Sequence, residues 1–305
     1  QEFEDKLNEE DRNIARSIYT AIIPQYQQFK NARGLDTYNN FKTNPPKYFP
    51  NGYFFSKFKQ FKLADDIDDT AYIFLTKQHT QEQAVWLKHK LILHANGYKR
   101  HTAHIFKKYC QKKLYSVFFG EKMPINIDAC AITNILLFIG KYQIPLNEYD
   151  TDSLNYLIAI VESDEYINTP YIVSPYYPTN YQIIYHLARL ISSGYFPQLN
   201  VLEEKLIKDG IGLLQRAKCF NETLLLSIAL LRLKTKVPEI KYDLESVINN
   251  NKNNFFYVSL FLLFDNYKIR SLDRYKIFQF FHFRTRSKGY ISALLLEYEC
   301  LKNLQ

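Results

Sequence analysis

The densest chemistry in the chain lies in one short run, Asp65-Asp66-Ile67-Asp68-Asp69-Thr70, followed directly by Ala71. Carboxyls packed this closely cannot all ionise once they leave water. Each negative charge raises the pKa of its neighbour and keeps one acid protonated, which is how a general acid is made. If the run is helical, Asp65 and Asp69 stand at i and i+4 on one face and could hold Mg²⁺ with a diphosphate. A plainer reading stays open beside both. The acids lie on a solvated loop and cap the helix that follows, a contribution of about 1 kcal/mol per cap.

The elements that must position these acids read as helices. Glycine is scarce, at 9 residues, and apolar residues recur at helical spacing. One stripe is Ile14, Ile18, Ala21 and Ile22, and another is Leu87 and Leu91 with His94 or Ala95. Leu154, Leu157, Ile158 and Val161 form a third, and Ile183, Ile184, Leu187, Leu190 and Ile191 a fourth. Leu202, Leu206 and Leu213 suggest a fifth, and Leu294 to Leu301 closes the chain. Breaks at Pro45-Pro46, Pro50, Pro124, Pro145, Pro170 to Pro178, Pro197 and Pro238 separate the segments. Alternating strand patterns are hard to find, so the expected class is all-α with roughly ten to twelve helices.

A weak repeat underlies the pattern: several segments open on a polar cap and turn almost wholly apolar. Asp69-Thr70 leads into Ala71 to Leu75, Asn126-Ile127-Asp128 into Ala129 to Leu137, and Pro178-Thr179-Asn180 into Tyr181 to Tyr185. Asn221-Glu222-Thr223 leads into Leu224 to Leu231, and Ser287 to Tyr290 into Ile291 to Leu296. Helices apolar on all sides belong inside, amphipathic ones outside. The alternation therefore predicts an α/α toroid of helical hairpins as one domain, with residues 1–45 as a helical lead-in and 46–305 as the ring. Such a ring gathers its inner N-termini at one mouth, where their partial positive charge stabilises carboxylates. Asp66, Asp68 and Asp69 are the catalytic candidates there, and Asp65, Thr70, Asp128, Tyr177 and Glu222 the candidates for the cavity rim. Asp128 and Glu222 also read as ordinary N-caps.

Composition narrows the partners. The 305 residues are 47% hydrophobic, enough to bury a core without staples. The 25 Tyr and 23 Phe against one Trp suit either an aromatic-lined ligand cavity or a core written in aromatics. A charge of +8 favours anionic partners, but the basic residues are scattered, so nucleic acid is not the expected partner. Cys110, Cys130, Cys219 and Cys300 are too far apart for a disulfide scaffold, leaving a reduced, cytoplasmic setting as the default. A removed signal peptide stays open, since the chain begins at Gln1. The longest apolar runs, Leu224 to Leu231 and Phe255 to Phe264, are short of the ~20 residues that span a bilayer, which leaves only peripheral membrane contact. His79, His89, His94, His101 and His104 read as surface histidines, although His101 and His104 could share a helical face and a metal.

The run Asp66-Ile67-Asp68-Asp69-Thr70-Ala71 resembles the D-x-D-D-T-A motif of class II terpene cyclases of the squalene–hopene cyclase type. Weaker likenesses to the same α/α-toroid superfamily lie in Asn126-Ile127-Asp128-Ala129 before Asn134-Ile135-Leu136, and in Ser174 to Thr179 before Tyr185 and Arg189. Asn221 to Leu226 adds another. The resemblance implies that Asp68 is held neutral and protonates an alkene or epoxide, with Asp66 and Asp69 orienting it. It also implies an aromatic, water-excluding cavity for an isoprenoid, because a cation is stabilised over a π face. The Gln–Trp repeats of full-length cyclases are missing, and the chain has length for one barrel where they have two. No cofactor is expected on this reading. The superfamily's prenyltransferase branch implies a zinc site, for which Asp128, Cys130 and His186 or His282 are a poor set. The same acids also satisfy D-D-x-x-D, the magnesium–diphosphate motif of class I isoprenoid synthases. The Thr70-Ala71 continuation fits the cyclase pattern better. A non-catalytic toroid that binds a lipid or a partner protein is the alternative from another class.

Overall fold

Polar caps fix where the helices begin, as the sequence pattern predicts. Asp66 is the N-cap of α2 (Ile67–Thr76) and accepts from the Asp69 amide at 3.0 Å. Asp128 opens α4 (Ala129–Lys141) by accepting from the amides of Cys130 and Ala131 at 2.8 and 3.1 Å. Thr80 with Gln83, and Asn147 with Asp150, form reciprocal capping boxes at α3 (Gln81–Leu93) and α5 (Glu148–Glu162). Thr179 caps α8 (Asn180–Ser192), and Ser287 caps α13 (Lys288–Lys302). Two expected openings shift. The cap of α2 is Asp66 and not Asp69-Thr70, and α10 (Phe220–Arg232) starts ahead of Asn221 with no side-chain cap at Cys219.

The computed structural model describes residues 4, 7–48, 57, 62–120, 123–250, 256–259, 266–275, 277–278, 282–285 and 287–304. The break at Pro50, and Phe255 with residues 260–264 of the long apolar run, lie outside them. Among the described residues the remaining helices are α1 (Glu9–Ile22), α6 (Glu165–Asn168), α7 (Pro170–Val173), α9 (Glu203–Leu214), α11 (Leu244–Asn249) and α12 (Tyr267–Arg270). That is 13 helices against roughly ten to twelve expected. The surplus comes from short pieces such as α6 and α7, the second of which opens the Pro-rich stretch before α8. Among the described residues the regular structure is helical with one departure, a two-stranded antiparallel ribbon pairing β1 (Phe256–Ser259) with β2 (His282–Thr285) in the register Phe256 to Thr285.

Burial follows apolarity. Every residue from Ala129 to Ile139 of α4 is buried, as is every residue of α10 from Leu224 to Arg232. In α8 the buried stretch runs from Gln182 to Leu190, broken only by Arg189, and continues at Ile191. In order, α2, α4, α8, α10 and α13 form a contiguous row in which each packs on the next. The less apolar α9 lies against α8 and α10, α5 against α4, and α11 against α13. Between α3 and α5 a buried ion pair joins Lys88 to Asp150 at 2.5 Å, and the Tyr115 hydroxyl donates to the same carboxylate at 2.6 Å.

One expected stripe is not part of the core. Ile14, Ile18 and Ile22 of α1 are 52%, 53% and 45% exposed, and α1 has no buried residue. The lead-in docks instead through the segment after α1, where the Tyr26 hydroxyl meets that of Thr76 at 3.1 Å. His89 and His101 are exposed, as a surface reading expects, but His104 departs from it. His104 is fully buried, with its ring 2.6 Å from the Thr102 hydroxyl, and neither it nor His101 lies on a helix. The shared helical face they would need for a metal is not formed.

The acidic run is pinned from both sides by backbone. The Asp66 amide donates to the Tyr38 carbonyl at 2.7 Å, and the Ile67 amide to that of Val117 at 2.6 Å. The Phe119 amide returns a bond to Asp65 at 3.0 Å. Residues 65–67 are thus a short extended link between two flanking segments, and the helix begins only at Ile67. Asp65 therefore lies outside the helix, and the i, i+4 face it would share with Asp69 does not exist.

Candidate functional site

The alternation of an extended link sends successive side chains to opposite sides. Asp65 faces outward, where its carboxylate accepts from the Asn31 amide and, at 2.5 Å, from the Thr37 hydroxyl. Asp66 is buried, and α2 then carries Asp68 into the interior and Asp69 to a half-buried position in the same turn.

Asp68 is gripped at both oxygens. Asn134 of α4 donates to one at 2.7 Å, and the Tyr177 hydroxyl, from the segment before α8, donates to the other at 2.6 Å. Beyond Asn134 stands Arg189 of α8, which donates to the Asn134 amide oxygen at 3.3 Å and to the Tyr72 hydroxyl at 2.8 Å. Its guanidinium lies 5.4 Å from the centre of the Tyr72 ring and 5.7 Å from that of Tyr185. The Tyr185 hydroxyl continues the network to Glu297 of α13 at 2.8 Å, and Glu297 pairs with Arg232 of α10 at 2.6 Å. Polar side chains of all five helices in the central row thus meet in one connected system. Buried polar groups of this kind are stable only when partnered, and this network supplies the partners.

Burial dominates the electrostatics. It pushes Asp66 well above the usual carboxylate range, helped by the charges of Asp69 and Asp68. It raises Asp68 against the donors Tyr177 and Asn134 and the charge of Arg189, all of which favour the ionised form. Asp69 rises to about 7, through burial and then through Asp68. The three carboxyls act as one titrating unit that keeps protons near neutral pH. Burial also drives His186 well below the ordinary histidine range, with Arg189 adding to the effect, so its ring is neutral. That ring is 5.0 Å from the Tyr177 ring, and its Nδ1 is buried without a hydrogen-bond partner.

The expected rim separates into different roles. Tyr177 belongs to the cluster. Thr70 is fully buried and builds the turn, donating to the Asp66 carbonyl at 2.6 Å and accepting from the Tyr38 amide at 2.9 Å. Asp128 is fully buried as well, and besides its cap it accepts from the Ser174 hydroxyl at 2.7 Å and the Tyr176 amide at 2.8 Å. Burial outweighs these donors and brings Asp128 up to about 6. Its work is to hold the segment that delivers Tyr177. Glu222 accepts from the Lys218 amide at 3.0 Å at the start of α10. Asp65 faces a separate surface cleft.

Asn134, Tyr72, Arg189, His186 and Glu297 complete the site without having been assigned to it from sequence. A polar Asn134 in the middle of an apolar helix was the available signal, since such a group must find a partner inside. Among the described residues no group of three or more His, Cys, Asp and Glu side chains could hold a metal ion. No family model matches the chain, and neither a curated protein nor a solved structure does.

Proposed function

We propose that the central row closes into the inner ring of an α/α toroid and that the cluster of Asp66, Asp68 and Asp69 starts the cyclisation of an apolar polyene by protonation. The observation that carries this reading is the grip of Tyr177 and Asn134 on both oxygens of Asp68. It orients one carboxyl while burial keeps protons on the cluster. Asp69, Tyr72 and Tyr177 keep accessible surface although burial dominates their electrostatics, as groups lining a hollow do. A proton passes from the cluster to an alkene carbon, the π bond breaks, and the resulting cation is attacked by the next double bond. The final cation returns a proton to a base, so no cofactor is consumed. Squalene and linear isoprenoid alcohols, incubated with the purified chain and analysed by gas chromatography–mass spectrometry, test the reading. Cyclic products that vanish with Asp68→Asn support it. Full turnover in that variant, or no product from the unaltered chain, ends it.

One observation favours a second reading, a non-catalytic amphiphile-binding hollow. The guanidinium of Arg189 already occupies the faces of Tyr72 and Tyr185 that a carbocation needs. A half-buried guanidinium beside aromatic rings suits the acidic head of a fatty-acid-like ligand. On either reading the ligand is hydrophobic, and the exposed isoleucine stripe of α1 offers peripheral contact with a membrane. Among the described residues no helix is long and apolar enough to cross one.

A further inference from the structure

On the outward side of the acidic link lies a cleft of about 870 Å³. Arg33, Lys42 and Lys47 line it from the lead-in side and Lys62 stands beside them, while Lys90, Lys99 and Arg100 line it from the end of α3 and the loop beyond. Among the described residues the one carboxylate in its lining is Asp65, already engaged by Asn31 and Thr37. The chain as a whole carries 39 basic residues to 31 acidic ones, so seven to one here is a local concentration of charge.

Several lysines elsewhere are neutralised: Lys30 pairs with Asp36, Lys88 with Asp150, Lys108 with Glu165 and Lys205 with Asp164. Among the described residues none of the seven cleft cations pairs with a carboxylate. Mutual repulsion without internal compensation is the electrostatic form of an anion site. The rest of the wall is apolar, with Leu35, Leu63, Leu93 and Ile125. Among the described residues its aromatic rings are Phe119 and His94. Phe119 is 5% exposed and covered by Lys90 at 5.6 Å, and His94 stands edge-on to it while accepting from the Gly120 amide, a poor platform for the bases of a nucleic acid. The volume is that of a small-molecule pocket.

We propose that this cleft binds a soluble organic phosphate with an apolar substituent, the phosphate on the lysines and arginines and the substituent against Leu63 and Leu93. The site is independent of the reading given to the interior cluster, and its test needs no turnover. Hexyl phosphate, inorganic phosphate and a short oligouridylate are titrated calorimetrically into the full chain and into a Lys62→Gln/Arg100→Gln double variant. Both substituted residues are exposed, and circular dichroism checks the fold. Saturable binding of hexyl phosphate, tighter than inorganic phosphate and weakened about tenfold or more in the variant, is the expected result. Absent saturation, indifference to the substitutions, equal affinity for inorganic phosphate, or tighter binding of the oligouridylate each overturns the proposal.

Discussion

The Tyr177 hydroxyl donates a 2.6 Å hydrogen bond to Asp68 across 109 positions of sequence. The contact exists because Asp128 holds the backbone of residues 174–176 while Asp66 starts the helix that carries Asp68. Two caps, on neighbouring helices, therefore determine one functional geometry.

Tyr177→Phe isolates that bond. It leaves ring packing against His186 in place but strips a donor from a buried carboxyl. An unsatisfied buried acceptor costs about 1–3 kcal/mol, and that is the expected loss of stability in urea denaturation. A loss no larger than the ~0.5 kcal/mol of an ordinary surface change would mean the bond is not formed.

The titration of the cluster predicts a pH dependence with a definite sign. Asp69 has a folded pKa of about 7, above its unfolded value, so between those two values the folded state binds more protons. Its contribution is complete below the unfolded pKa and is lost as pH rises through about 7. Buried histidines such as His186 oppose it, since a lowered pKa gains stability as pH rises. The difference in thermal midpoint between the unaltered chain and Asp69→Asn cancels that background. It should shift in favour of the variant as pH rises from about 4 to 7 and level off above. A difference that does not change with pH contradicts the raised pKa.

How much of this was legible in the sequence depended on the range of the interactions. Caps and apolar faces are local, so Asp128, Thr179 and Ser287 could be found as helix starts, and α4, α8 and α10 as interior helices. The stripe of Ile14, Ile18 and Ile22 carried the same helical signal, yet periodicity reports a helix and an apolar face without reporting what covers it. The side of the chain that Asp65 faces was set by backbone pairing with residues near Tyr38 and Val117, which no pattern within the run encodes. Arg189 reaches Asn134 only through the packing of α8 on α4, and a sequence does not display such a pairing.

Away from the site, Lys88 and Asp150 make a sharper stability test than any surface pair. Lys88 is 3% exposed and Asp150 fully buried, so Lys88→Met strands a carboxylate that retains only the Tyr115 hydroxyl and the Asn147 amide. Breaking a buried pair from one side costs about 3–5 kcal/mol. Replacing both partners with apolar residues should recover part of that loss. If the single and double variants unfold at the same denaturant concentration, the lost stability comes from packing and not from the stranded charge.

Arg189 separates the two functional readings. Its charge favours ionised Asp68, so Arg189→Gln should push the Asp68 pKa higher still. A general acid works only while protonated, and activity falls as pH rises through its pKa. In a cyclase the alkaline limb of the rate profile should therefore move to higher pH in Arg189→Gln, with the π faces of Tyr72 and Tyr185 uncovered for a cation. In an amphiphile-binding hollow the same substitution removes the partner of the acidic head. Affinity for a fatty acid, measured by fluorescence displacement, should then fall about tenfold or more while that for the matching alcohol is unchanged. A shifted rate profile with intact fatty-acid affinity selects the enzyme, and the reverse pattern selects the binding protein.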